Sequence, residues 1–193
     1  MVLAMKNADI SYTYADYLQW NDNERWELIG GVAYNISPAP SRKHQEISQN
    51  LSRKIGNYLE GKSCKVYAAP FDVRLPLGDE EDKRTGNVVQ PDIVVVCDSA
   101  KLDDRGCTGA PDLIIEILSP STAKKDMVVK LHLYEKAGVK EYWLVHPTDH
   151  TVTVFMLGND GRYGRFEMYD QSDQLAMGIF SDFVLDLKDV FSE

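Results

Sequence analysis

The sequence predicts an α/β fold, a mixed central β-sheet flanked by helices. Three observations predict it. The run Leu113–Leu118, held between Pro111 and Pro120, is short, apolar and rich in β-branched residues, which suits a strand buried on both faces. A similar run, Ile93–Val96, follows Pro91-Asp92. Two longer segments, 41–60 and 123–137, carry helical periodicity and alternate with strands, as α/β chains do. The 193 residues suit one domain, 1–193, with a sizeable core.

Thr13 is placed to cap a short helix, Tyr14–Trp20, with Asp16 as its capping partner. Arg25–Ile29 and Val32–Ile36 flank Gly30-Gly31 and read as a hairpin. Pro38 and Pro40 mark a loop. Ser41 then caps a helix reaching Glu60, with Gly61 as its stop. Ile47, Leu51, Ile55 and Leu59 form its core face, and His44 extends that face. Lys65–Ala69 and Phe71–Leu75 read as strands bent at Pro70. The acid-rich segment Gly78–Gly86 reads as a solvated loop, lacking the ligand spacing of a calcium loop. Asp98–Gly109 reads as a polar loop.

Ser119–Thr122 supplies a turn and a cap for the helix Ala123–Ala137, which Gly138 ends. Asp126, Met127, Lys130, Leu133, Tyr134 and Ala137 share one face of it. Asp126 and Lys130, four residues apart, read there as a surface ion pair worth a few tenths of a kcal/mol. Lys124 and Lys125 read as solvated side chains or as contacts to a phosphate backbone. Glu141–Val145 is a further strand. Thr151–Leu157 and Arg162–Met168 form a second hairpin around Gly158–Gly161. Phe180–Phe191 closes the chain as a short terminal element.

Bulk properties narrow the function. No apolar run approaches the ~20 residues of a membrane span, and the N-terminus lacks a signal-peptide core, so a cytoplasmic protein is expected. Cys64, Cys97 and Cys107 are an odd, widely spaced set without CxxC, which predicts inert thiols rather than a zinc site or a disulfide. A net charge of −9 argues against a broad basic face for nucleic acid, though not against a local groove.

Glu116 breaks the pattern. An ionised carboxylate inside a buried strand costs several kcal/mol unless it is paired, hydrogen-bonded or metal-bound. Asp92 opens a strand of similar character. If the two strands are neighbours, the two acids converge, and a pair of carboxylates with room for water suits a hard cation such as Mg2+. Such an ion polarises a phosphodiester and helps generate hydroxide from bound water. A lysine nearby would stabilise charge developing on the phosphate. Residues two apart on a strand share a face. The residue two after Glu116 is Leu118, so the lysine has to come from the next helix, where Lys130 is the candidate.

At these residues the sequence resembles the PD-(D/E)xK nucleases, and more closely the Uma2 (DUF820) family of restriction-endonuclease-like proteins. The resemblance rests on Glu27–Gly31, His44, Pro91-Asp92-Ile93, Pro111–Thr122, then Asp126, Lys130, Tyr134 and Ala137–Val145. It covers roughly Tyr12–Phe191; its force lies in order and spacing together. It implies a restriction-endonuclease-like fold and a metal-dependent endonuclease hydrolysing DNA. Asp92 and Glu116 would hold Mg2+, with Mn2+ as an alternative, and Lys130 would have migrated from the usual position, here Leu118. His44 would position phosphate or water, or serve as a structural histidine. Glu27 would be a further carboxylate of the site, or simply a strand residue. Cutting both strands of a duplex would suit a homodimer. Two alternatives stay open: a nuclease fold retained as a catalytically inactive nucleic-acid-binding or interaction module, and a metal hydrolase acting on small phosphates. Lys130 is equally readable as the structural partner of Glu116.

Overall fold

The computed structural model describes residues 9–36 and 39–192. Thr13 caps α1 (Tyr14–Tyr17) through a capping box with Asp16. This helix is a single turn and stops short of the predicted Trp20. β1 (Trp26–Ile29) and β2 (Val32–Asn35) pair antiparallel around Gly30-Gly31, whose φ values are +58° and +78°. A tight hairpin of this kind needs positive φ at both central residues, which glycine adopts without a Cβ clash.

The Ser41 hydroxyl accepts from the His44 amide and starts α2 (Arg42–Leu59). Ile47, Leu51, Ile55 and Leu59 bury the predicted stripe, each worth about 1.5–3 kcal/mol relative to exposure. β3 (Lys65–Ala68) follows. The second predicted strand there shrinks to β4 (Val73–Arg74), which belongs to a different sheet, so Pro70 marks a crossing between sheets rather than a bend within one. The acidic segment is partly engaged: Asp82 pairs with the buried Arg74 at 3.1 Å.

β5 (Val88–Val89) and β6 (Ile93–Val96) come next. The predicted polar loop 98–109 contains two short strands, β7 (Leu102–Asp103) and β8 (Gly106–Thr108). Segments of two and three residues are too brief to show a periodicity. β9 (Leu113–Ile117), α3 (Leu131–Ala137), β10 (Glu141–His146) and β11 (Thr151–Met156) fall close to expectation. The last strand of the second hairpin, β12 (Glu167–Asp170), starts later than Arg162. Gly161 and Gly164 lie in the intervening stretch, where they weaken strand pairing, leaving a single bridge between Leu157 and Tyr163 there. β13 (Gln174–Ala176), β14 (Val184–Asp186) and α4 (Leu187–Val190) finish the chain.

The expected mixed α/β architecture is present, with a second large sheet in place of a single central one. One sheet runs β2-β1-β5-β4-β8-β7, the other β12-β11-β10-β9-β6-β3, and each combines parallel and antiparallel pairs. On one face of the second sheet, Ile93, Val95, Leu113, Ile115 and Trp143 pack against α2 and the β13–β14 hairpin. On the other, Val94, Ile114, Tyr142 and Leu144 pack against Ile29, Val73 and Val89 of the first sheet and against Tyr134 of α3. Side chains alternate along β9, so Glu116 shares the face of Ile114 and points toward the first sheet.

The cysteines depart from expectation: Cys64 and Cys97 form a disulfide, and Cys107 is buried and free. β3 and β6 pair antiparallel with Lys65 opposite Val96. One step further out sets Cys64 opposite Cys97. Strand register creates the pair, and spacing in sequence does not reveal it. Thiol alkylation in denaturant should label one cysteine without reductant and three with it. Reduction should lower stability by about 2–4 kcal/mol, from the freedom regained by the unfolded chain, read as a fall in thermal midpoint.

Candidate functional site

Asp92 and Glu116 meet at the end of the second sheet. β6 and β9 are antiparallel, with Ile93 opposite Ile115, and the next step outward sets Asp92 opposite Glu116. Directly opposed residues share a face. The contact is closed by the backbone, since the Ile117 amide donates to Asp92 Oδ2 at 2.7 Å. His44, in the first turn of α2, brings Nε2 to 3.3 Å from the same oxygen. Asp92 keeps a partly exposed side chain, whereas Glu116 is buried.

Glu27 enters from the first sheet. Its Oε1 accepts the Gln90 amide at 2.9 Å, where the chain passes from β5 to β6. Lys130 then ties the sheets together: its Nζ lies 2.7 Å from Glu27 Oε1, 2.8 Å from Glu116 Oε1 and 3.7 Å from Asp126 Oδ1. The Tyr134 hydroxyl donates to Glu116 Oε1 at 2.7 Å, and Lys125 Nζ sits 2.5 Å from Glu27 Oε2. All five residues singled out from the sequence, Glu27, His44, Asp92, Glu116 and Lys130, therefore converge.

Three details were not foreseen. The helix after Pro120 is distorted, with Lys125–Lys130 forming a π-helical turn ahead of α3. In an α-helix, residues 125 and 130 would lie about 140° apart. A turn closed i→i+5 brings them to one side, and such turns recur at functional sites. Lys125 is thus buried against Glu27, neither solvated nor free to contact a phosphate backbone. The Asp126–Lys130 pair is buried too, not a surface pair. Finally, Met127 faces outward at 45% exposure, beside Val128 and Val129, and leaves the inward face predicted for it. The embedded Asp126/Lys130 pair was the available signal; Lys125 gave none, because the sequence does not announce a π turn.

The buried charges do not balance. Glu27, Glu116 and Asp126 face Lys125 and Lys130, an excess of one negative charge before Asp92 is added. Burial pushes the Glu116 carboxyl up to about 8; Lys130 opposes this, while Asp126, Asp92 and Glu27 add to it. Burial also raises Asp126. Glu27 goes the other way: burial favours its neutral form, but Lys130 and Lys125 outweigh it and hold the carboxyl down at about 2. Burial works against the charged Lys130, yet Glu116, Glu27 and Asp126 carry it well above the ordinary lysine value.

Burial likewise works against protonated His44, and Asp92 overcomes it, so His44 titrates above its ordinary 6.5. A histidine raised on folding adds stability that is fully present below its unfolded pKa and is lost as pH rises through the folded one. NMR titration should find His44 above 6.5, and in Asp92→Asn it should fall from its wild-type position, because Asp92 supplies the largest of the contributions that raise it, ahead of the Ile117 backbone and Asp126.

Among the described residues, no three His, Cys, Asp or Glu side chains form a ready-made metal cage. The donor set present is the pair Asp92 and Glu116, and the protein's hydrogen bonds fall on Asp92 Oδ2 and Glu116 Oε1. Two carboxylates with one uncommitted oxygen each, in a site of excess negative charge, fit Mg2+. That ion commonly binds through one or two carboxylates and retains several waters.

The family model described as "Putative restriction endonuclease", Uma2, matches residues 14–188. The chain belongs to the Uma2 family. A curated relative, "Uncharacterized protein slr1290" of Synechocystis sp., is 28% identical over 165 residues, covering 84% of this chain and 82% of that protein. The crystal structure of a "putative nuclease belonging to DUF820" from Anabaena variabilis superposes with a TM-score of 0.73 at 22% identity. It covers 93% of this chain and 97% of that one, and it supports the fold. The Uma2 match takes in Glu27, His44, Asp92, Glu116 and Lys130 together. No helix among the described residues is long and apolar enough to cross a membrane.

Proposed function

We propose that this Uma2 protein is a metal-dependent endonuclease that hydrolyses DNA phosphodiester bonds. The observation that carries the reading is the pairing of Asp92 and Glu116 across adjacent strands, one oxygen of each left uncommitted. These two carboxylates would hold Mg2+, or Mn2+ in its place. Bound there, the ion would polarise the phosphodiester and lower the pKa of a coordinated water.

The chain's own groups do the rest. Lys130 neutralises part of the carboxylate charge and supplies positive charge beside the phosphate, where negative charge develops. Glu27 anchors that ammonium from the other sheet and keeps it directed at Glu116. His44 lies against Asp92 Oδ2 and, when protonated, balances its charge. The net charge of −9 means that substrate must be gripped locally rather than by a broad basic face. Cleaving both strands of a duplex would call for two copies of the chain.

The test is nicking of supercoiled plasmid in Mg2+ or Mn2+, with Asp92→Ala as control. Nicking by the wild type and its loss in the variant is the expected result. Unchanged nicking in Asp92→Ala would sink the assignment. No nicking with any metal would favour an inactive nucleic-acid-binding or interaction module, in which Lys130 serves only to neutralise Glu27 and Glu116.

A further inference from the structure

Asp92 and Glu116 are held in the same way. Asp92 Oδ2 takes the Ile117 amide at 2.7 Å and lies 3.3 Å from His44 Nε2. Glu116 Oε1 takes the Tyr134 hydroxyl at 2.7 Å and the Lys130 ammonium at 2.8 Å. In both carboxylates the contacts collect on one oxygen. The other, Asp92 Oδ1 or Glu116 Oε2, has no hydrogen bond among the described residues.

The terminal torsion of a carboxylate is broad and nearly two-fold, so an unrestrained group exchanges its oxygens. To turn, Asp92 must break the Ile117 hydrogen bond and the close contact with His44, and Glu116 must break the hydrogen bonds from Tyr134 and Lys130. The grips are themselves rigid. The Ile117 amide belongs to the residue after Glu116, so it fixes Asp92 to the strand carrying the other acid. Tyr134 is fully buried, and its ring meets that of Tyr142 edge-on at 4.9 Å. The Tyr142 hydroxyl is tied in turn to the Asp126 carbonyl at 3.1 Å. His44 is buried in the first turn of α2.

We infer that His44 and Tyr134 are positioning residues, each fixing one oxygen of its carboxylate so that Asp92 Oδ1 and Glu116 Oε2 together face a shared divalent cation. The inference rests on the nuclease reading above and adds a separate demand: an imidazole and a phenol set cation affinity without touching the ion. Partners of this kind typically change metal affinity about 10–100-fold.

The experiment is Mn2+ titration of the full chain without substrate, followed by the electron paramagnetic resonance signal of free Mn2+, with thermal midpoints measured in parallel. Tyr134→Phe removes one hydroxyl and keeps the ring. His44→Leu removes the imidazole, and His44→Gln restores a donor. Tyr134→Phe and His44→Leu should each bind Mn2+ about tenfold more weakly or worse, with His44→Gln recovering part of the loss. Tyr134→Phe should keep a thermal midpoint near the wild type, so it carries the test even if His44→Leu unfolds. Wild-type affinity in either variant, with binding abolished in Asp92→Ala, overturns the role of that residue and leaves the cation site standing. A wild-type chain that binds no Mn2+ overturns the cation reading, and this inference with it.

Discussion

Glu116→Gln should lower Mg2+-dependent plasmid nicking at least about a hundredfold while leaving the fold intact. The loss follows from charge. An amide oxygen is a poor ligand for a hard cation compared with a carboxylate, and losing one preorganised electrostatic contact in an active site commonly costs about 10²–10³ in rate. Stability should change little, by about 1 kcal/mol or less, because the amide keeps an acceptor for the Lys130 and Tyr134 donors at Oε1. It also removes one of three buried carboxylates from a cluster with an excess of them. Asp92→Asn should lose activity comparably, with His44 as a second reporter. The check is nicking rate set beside thermal midpoint; a variant that nicks at the wild-type rate contradicts the assignment.

Lys130→Met should destabilise the protein by about 3–5 kcal/mol, the usual cost of leaving buried charges without their partner. That is a large share of the ~5–15 kcal/mol that holds a typical domain together. The ammonium lies within 4 Å of Glu27, Glu116 and Asp126. Without it, Lys125 is left to balance three acids. The loss should depend on pH in a defined direction. With Lys130 gone, Glu116 and Asp126, already raised by burial, lose the charge that opposes that rise, and both stand above the unfolded carboxyl values of about 4. The folded variant then holds protons that the unfolded chain has released, and its stability falls as pH rises. The gap to the wild type should therefore narrow on going from pH 8 toward pH 5 in chemical denaturation. Adding Glu116→Gln to Lys130→Met should recover part of the loss, since the two sites are in contact and non-additive. An unchanged midpoint in Lys130→Met would show that the ammonium does not carry this charge balance.

Most of the site was legible because it breaks a local rule. Glu116 stood in a run too apolar for it, and Asp92 opened a matching strand; β6 and β9 prove to be neighbours with those residues in register. The Ile47–Leu59 stripe, the Thr13 and Ser41 caps and the Gly30-Gly31 turn were equally readable, each written in a few adjacent residues. The failures share a cause. The Cys64–Cys97 disulfide depends on pairing between strands 33 residues apart. The burial of Lys125 and the exposure of Met127 depend on a π turn, which shifts faces without changing composition. β7 and β8 are stabilised by their sheet neighbours rather than by their own pattern. Tertiary register and backbone distortion, not local preference, decided these elements.

Asp92 and Glu116 are proposed together to hold a divalent cation. Anomalous diffraction from crystals grown with Mn2+ tests it most directly. The expected result is a Mn2+ peak held by Asp92 and Glu116 together, since a hard divalent ion takes carboxylate oxygens as its ligands. Density for bound Mn2+ elsewhere, with the two carboxylates still held by Lys130, Tyr134 and Ile117 alone, would contradict it.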